Sequence, residues 1–257
     1  MQDFARVDDK ATPAEVIHLA IRRTVKTLGL LDPYAEEKKH WAKEATGNAE
    51  WIRSVVDGFP DPFAAALRLS IAANILDCEL RADVVKGFSI KALVERFMEV
   101  PFASDNVEDF RQAMQKAAKI LFIHDAAGEF FFDRLLIEKF KKKPSSVVSV
   151  VRESPILADG IREDALAAGL DKVSQIIHPG VDCLGVPLNA CSEEFKEHYR
   201  GADVVVAKGQ AALETLEGKD SEIDGAEKEI FFLFRVKCPV LARHVGASVG
   251  DCVLETG

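Results

Sequence analysis

Five short apolar runs in the second half of the chain limit what it can fold into. They are KILFIH (119–124), SVVSVVR (146–152), VSQIIH (173–178), DVVVAK (203–208) and EIFFLFRVK (229–237). Each is rich in β-branched or aromatic residues, and each is apolar along most of its length rather than at alternate positions. A strand of that kind must be buried on both faces. Between them lie FFFDRLLIEKF (130–140), REDALAAG (162–169) and SEEFKEHYR (192–200), with helical spacing or helix-favouring composition. Continuous apolar strands alternating with helices predict a mainly parallel sheet with helices on both faces, a three-layer α/β/α arrangement.

The first ~115 residues carry a different period, and they read as helices. Thr12-Pro13-Ala14-Glu15 has capping-box spacing with proline at the first helical position, and Val16, Ile17, Ala20, Ile21, Val25 and Leu28 then recur at helical intervals up to Gly29. A second amphipathic stretch follows Asp32-Pro33-Tyr34. The segment PFAAALRLSIAANILDCEL (62–80) is apolar nearly all round, which predicts a buried helix. Its two polar interruptions near the end, Asn74 and Asp77, are three apart and so are expected on one face. The expected organisation is a helical unit over 1–115 packed on an α/β/α unit over 116–257. No internal repeat or low-complexity tract is visible.

Charge and cysteine content narrow the partners. Lys+Arg 33 against Asp+Glu 42 gives a net charge of -9. Nucleic acid and anionic membranes reward clustered cations, so neither is expected as the main partner. An anionic metabolite remains open, because a site can be locally positive on an acidic protein. The apolar runs are strand-sized, far short of the ~20 residues that cross a bilayer. The polar, acidic start shows no secretory signal. The five cysteines are odd in number and scattered without a C-x-x-C, as suits reduced thiols, so a cytoplasmic setting is expected.

In an open parallel sheet, ligands bind outside the carboxyl ends of the strands. The first run leads into His124-Asp125-Ala126-Ala127-Gly128-Glu129, the second through Glu153-Ser154-Pro155 to Asp159-Gly160, the fourth into Lys208-Gly209-Gln210, and the fifth into Lys237-Cys238-Pro239. Two carboxylates and two lysines would converge on one edge. Carboxylate oxygens suit a hard divalent ion such as Mg²⁺ or Mn²⁺, and a lysine opposite suits phosphate. Together they describe a metal-assisted phosphoryl site. Plainer roles compete: Asp125 or Asp159 as a helix N-cap, Lys208 as an exposed turn residue, and Lys237 as a structural or solvated lysine. Asn74 and Asp77 could be a polar link between the two units, and His178 and Cys238 turn or core residues. Dinucleotide and P-loop chemistry lack their signatures, since the first turn offers only Gly128 and no Gly-Lys-Ser/Thr occurs. No G-x-S-x-G elbow exists either.

From about Ala11 onward, the chain resembles the metal-dependent damage-control phosphatases, also called domain-of-unknown-function family 89. The resemblance is carried by DPYAEEK (32–38), IAANILD (71–77), HDAAGEFFFDRLLIE (124–138), SPILADGIREDA (154–165), GADVVVAKGQAALETL (201–216) and KCPVLARHVGASVGDCVL (237–254). It implies a helical N-terminal domain on a Rossmann-like core, a divalent cation (Mg, Mn, Co or Ni), and hydrolysis of small phosphorylated metabolites of sugar phosphate or phosphopantetheine type. Asp125 and Asp159 would hold the metal. Lys208 would hold phosphate oxygens, with Asn74, Asp77 and Glu129 on the substrate side. Lys208→Ala would then weaken phosphate binding and leave the fold intact. The chain departs from the family at its amides. Asp-Asn is Asp125-Ala126 here, Asn-Asp-Ala-Thr is Ala158-Asp159-Gly160-Ile161, and Lys-Gly-Gln-Gly-Asn is Lys208-Gly209-Gln210-Ala211-Ala212. The N-terminal cysteine pair of the nearest branch is also missing. A catalytically impaired member that binds metal and phosphometabolite is therefore the alternative expectation.

Overall fold

The computed structural model describes residues 11–77, 89–98, 100–103, 106–140, 146–219, 223 and 228–257. Among these, six strands form one sheet: β1 (Lys119–Ile123), β2 (Ser146–Val150), β3 (Gln175–Ile177), β4 (Val204–Lys208), β5 (Glu229–Arg235) and β6 (Cys252–Thr256). Their order is β3-β2-β1-β4-β5-β6, with every pairing parallel except β5 with β6. All five expected strands are present. The antiparallel edge strand β6 was not anticipated; its first three residues, Cys252 to Leu254, end a segment read only for its family resemblance.

The continuous apolar runs are explained by burial on both sides. Ile120, Phe122, Val204, Val206, Phe231 and Leu233 join one hydrophobic cluster, and Leu121, Ile123, Val205, Ala207, Phe232 and Phe234 join the other. Alternate residues of one strand thus serve two cores. The first cluster is shared with helices of the N-terminal segment, including α2 (Ala35–Gly47), α3 (Ala49–Asp57), α4 (Pro62–Ala72), α5 (Ile90–Phe97) and α6 (Val107–Lys116), and with α7 (Phe130–Ile137) and α8 (Arg162–Ala168). The second is covered by α9 (Glu193–Gly201), α10 (Gln210–Leu216) and α11 (Pro239–His244).

Helix α1 (Pro13–Leu28) starts at the expected capping box, with the Glu15 carboxylate accepting from the Thr12 N–H, and stops at Gly29 with φ 66°. The predicted helix over 62–80 ends sooner. Asp61 caps α4, but the helix gives way after Ala72 to a tight 3-10 turn over Ala73–Leu76, with Asp77 extended just beyond it. Asn74 and Asp77 are therefore not on one face of a regular helix. Cys78, Glu79 and Leu80 lie outside the described residues. No helix among the described residues is long and apolar enough to cross a membrane.

Candidate functional site

The strand order reverses between β1 and β4, and such a reversal opens a crevice at the carboxyl edge. Two loops meet there because their backbones are bonded to each other. The Gly160 N–H donates to the Asp125 carbonyl at 3.0 Å, the Ala127 N–H to the Ala158 carbonyl at 2.9 Å, and Ala126 pairs with Asp159 in an isolated bridge. The loops after β1 and β2 thus bring Asp125 and Asp159 together. Neither aspartate caps a helix: the residues at the starts of the 3-10 turn Ala127–Glu129 and of α8 are Ala126 and Ile161.

From the third side, β4 delivers Gly209. Its φ of 82° lies in the left-handed region, and a Cβ there would fall 2.0 Å from Oδ2 of Asp125. Only glycine lets the β4 backbone lie against that carboxylate. Gly209→Ala is expected to push Asp125 aside and to destabilise the fold by about 1–3 kcal/mol. Unchanged thermal stability together with unchanged metal binding would show that the contact is slack.

These elements enclose a cavity of about 250 Å³ lined by Asp77, Asp125, Asp159, Lys237, Gln210 and Cys238, with Ala14, Ile17 and Leu184 on its apolar side. Asp77 forms an ion pair with Lys237, and Asp159 accepts from Nε of Arg152 at 2.6 Å. Burial, then the neighbouring charges of Asp159 and Glu129, raise the Asp125 pKa well above the usual carboxylate range. Burial also raises Asp159, against the pull of Arg152.

A second, fully buried layer supports the cavity from below. Nδ2 of Asn74 donates to Asp125 at 3.0 Å and to Glu129 at 2.6 Å. Lys208, 0% exposed, pairs with Glu129 at 2.6 Å and Asp133 at 2.8 Å, and donates to the Ser70 carbonyl at 2.7 Å. Asp133 in turn meets Nδ1 of His124 at 2.8 Å, and Nε2 of His124 lies 2.9 Å from Oγ of Ser149. Burial opposes the Lys208 charge, but Asp133 and Glu129 outweigh it and hold its pKa above the ordinary lysine value. Burial pushes the His124 pKa down despite Asp133.

The expected site residues thus fall into two groups. Asp77, Asp125 and Asp159 line the cavity. Asn74, Glu129 and Lys208 lie beneath it and touch protein. Lys208 is neither an exposed turn residue nor a lysine with donors to spare, since its three N–H bonds already face Ser70, Glu129 and Asp133. Arg152, Asp133, Ser70 and His124 were not anticipated. Asp133 alone left a trace in the sequence, as a charged residue inside the apolar run FFFDRLLI, where a buried carboxylate demands a partner.

Among the described residues, no group of three or more His, Cys, Asp or Glu side chains is close enough to hold a metal ion. The donor set present is nonetheless one of oxygens. Oδ1 of Asn74 and Oε1 of Gln210 are buried acceptors with no hydrogen-bond donor. Orphaned acceptor oxygens beside the crowded carboxylates fit a hard divalent ion that binds through one or two carboxylates and keeps several waters.

Comparison with known proteins agrees with this architecture. The family model described as the damage-control phosphatase ARMT1-like domain matches residues 4–253. A protein of Pyrococcus horikoshii named damage-control phosphatase PH1575 is 34% identical over 96% of this chain and 82% of its own length. One of Archaeoglobus fulgidus, named damage-control phosphatase, is 32% identical over 93% of this chain and 81% of its own length. The crystal structure of the Pyrococcus horikoshii protein, described as of the duf89 family, superposes with a TM-score of 0.80 at 32% identity, covering 97% of this chain and 84% of that one. The chain belongs to the damage-control phosphatase ARMT1-like family.

Proposed function

We propose that this protein is a phosphatase that uses a divalent cation, one of Mg²⁺, Mn²⁺, Co²⁺ or Ni²⁺, to hydrolyse small phosphorylated metabolites of sugar phosphate or phosphopantetheine type. The observation that carries the reading is the convergence of Asp125 and Asp159 in one cavity at the topological switch point, with Lys237 on the same cavity. Asp125 and Asp159 would hold the cation, which supplies charge stabilisation for the phosphoryl group. Asn74 orients Asp125 through its amide. Lys237, released from Asp77, offers a cation to phosphate oxygens at the cavity wall. For Lys208 we propose support as its first role, because it holds Glu129 and through it Asn74. Direct contact of Lys208 with phosphate requires it to leave Glu129 or Asp133.

The alternative, a binding protein without turnover, rests on one observation: alanine stands at positions 126, 158 and 212, where the family carries amides. The two readings separate in one assay. Hydrolysis of a generic phosphate ester should be absent in chelator and restored by one of the four ions, and equal rates with and without every ion would refute the metal-dependent reading. Metal-dependent phosphate binding without hydrolysis would establish the alternative.

A further inference from the structure

One wall of the carboxylate cavity is built by helix α10. Gln210 and Glu214 lie one turn apart, so they share a face of the helix, and both line the cavity. Nε2 of Gln210 donates to Oε1 of Glu214 at 2.7 Å, and the Ala14 N–H of α1 donates to Oε2 at 3.0 Å. Two neutral donors on different helices thus fix the position of this carboxylate. An ionised carboxylate has about four lone-pair sites, so both oxygens can accept again. Oε1 of Gln210 is a further buried acceptor with no donor. Ala14, Ile17 and Leu184 line the same cavity. Beside apolar groups, an acceptor gains more from a donor than it would in water.

The charges of the lining residues sort by partner. Asp77 pairs with Lys237, and Asp125 and Asp159 are the carboxylates assigned to the cation. Glu214 is the carboxylate left over, because among the described residues its partners are the neutral Ala14 N–H and Gln210 amide. A hydroxyl group near the phosphate of a ligand would meet this wall as a donor. A second anionic group would meet it as a like charge, which lowers affinity.

We propose that Glu214, oriented by Gln210, is a specificity-determining residue that favours phosphomonoesters with a hydroxyl group close to the phosphate and disfavours those with a second anion. The inference rests on the phosphate-site reading given above and deepens it. The test is titration calorimetry on the full chain with Mg²⁺, using propyl phosphate, glycerol 3-phosphate and 2-carboxyethyl phosphate. Glycerol 3-phosphate should bind about tenfold tighter than propyl phosphate, and 2-carboxyethyl phosphate about three- to fivefold weaker. Glu214→Gln, which keeps the shape of the side chain, should shrink both differences and leave propyl phosphate within about twofold of the parent. Equal binding of propyl and glycerol phosphates by the parent chain would overturn the proposal without need of the variant. So would a hydroxyl advantage that survives Glu214→Gln undiminished, which would place that contact elsewhere, for instance on the cation. An equal loss for all three esters in the variant would reduce Glu214 to an anchor for α1. Failure of every ester to bind the parent chain would overturn the phosphate-site reading and this inference with it, whereas equal binding of all three removes only the inference.

Discussion

Lys208→Met is expected to cost the fold about 3–5 kcal/mol, because it removes one partner of a buried charge group and leaves the others uncompensated. Methionine keeps the length of the side chain and fills the space, so the loss reports charge rather than a void. Glu129 and Asp133 are both 0% exposed, and with the ammonium gone Glu129 keeps only the Asn74 amide. The carboxylates would respond by taking up protons, so the variant should regain stability as pH falls. The direction follows from linkage. Without the lysine, the folded carboxylates have pKa values above those of the unfolded chain, so the folded state binds more protons and is favoured by acid. Adding Glu129→Gln should recover part of the loss, a coupling that a double-mutant cycle measures by urea unfolding. A loss below about 1 kcal/mol, accompanied by weakened phosphate binding, would instead return Lys208 to the direct phosphate contact expected from the sequence.

The sequence locates Lys208 at the carboxyl end of β4, but not the buried partners that hold its side chain beneath the cavity. Strand periodicity and the carboxyl-end rule locate the end of β4, so they locate Lys208 on the right edge of the sheet. They are silent on whether a side chain at that edge points up into the crevice or down into the layer beneath, since that depends on what packs there. Here α4 and its 3-10 turn bring Ser70 and Asn74, and α7 brings Asp133, from segments far apart in the chain. The same limit explains Arg152. A strand ending in VVR reads as an apolar run with a polar end, and only the fold of the 152–160 loop, returning Gly160 to the Arg152 N–H, shows that the guanidinium meets Asp159. The helix over 62–80 was overextended because its composition is uniformly apolar. Nothing in such a run marks the residue at which α-helical bonding tightens to 3-10. Edge strand β6 pairs through its neighbour's backbone, and its three apolar residues, Cys252 to Leu254, compete poorly with the longer continuous runs. The five parallel strands and the capping box of α1 were legible because each rests on local pattern alone.

Ala126→Asn is expected to strengthen metal binding and turnover together, and Asp125→Asn to abolish both. Ala126 follows Asp125, is 1% exposed, and pairs with Asp159 through its backbone. An asparagine there adds a carbonyl oxygen beside the two carboxylates, on a loop held by the Ala127–Ala158 and Gly160–Asp125 bonds. The same amide has a cost when no cation is present, because burying it without a partner opposes folding by about 1–3 kcal/mol. The variant should therefore melt below the parent chain in chelator and recover with Mg²⁺, since a ligand that binds only the folded state adds stability as its concentration exceeds its Kd. A tenfold gain in metal affinity corresponds to about 1.4 kcal/mol and is within reach of one neutral oxygen ligand. Asp125→Asn keeps the shape of the side chain and its bond with Asn74 but removes one of the two carboxylates proposed to hold the cation, so turnover should fall at least about a hundredfold. If Ala126→Asn leaves affinity and rate unchanged while Asp125→Asn is inactive, the cation is held by a ligand set that does not reach position 126. If the parent chain hydrolyses no phosphate ester and Ala126→Asn does, the parent is the binding protein of the alternative reading, with alanine at the position that silenced it.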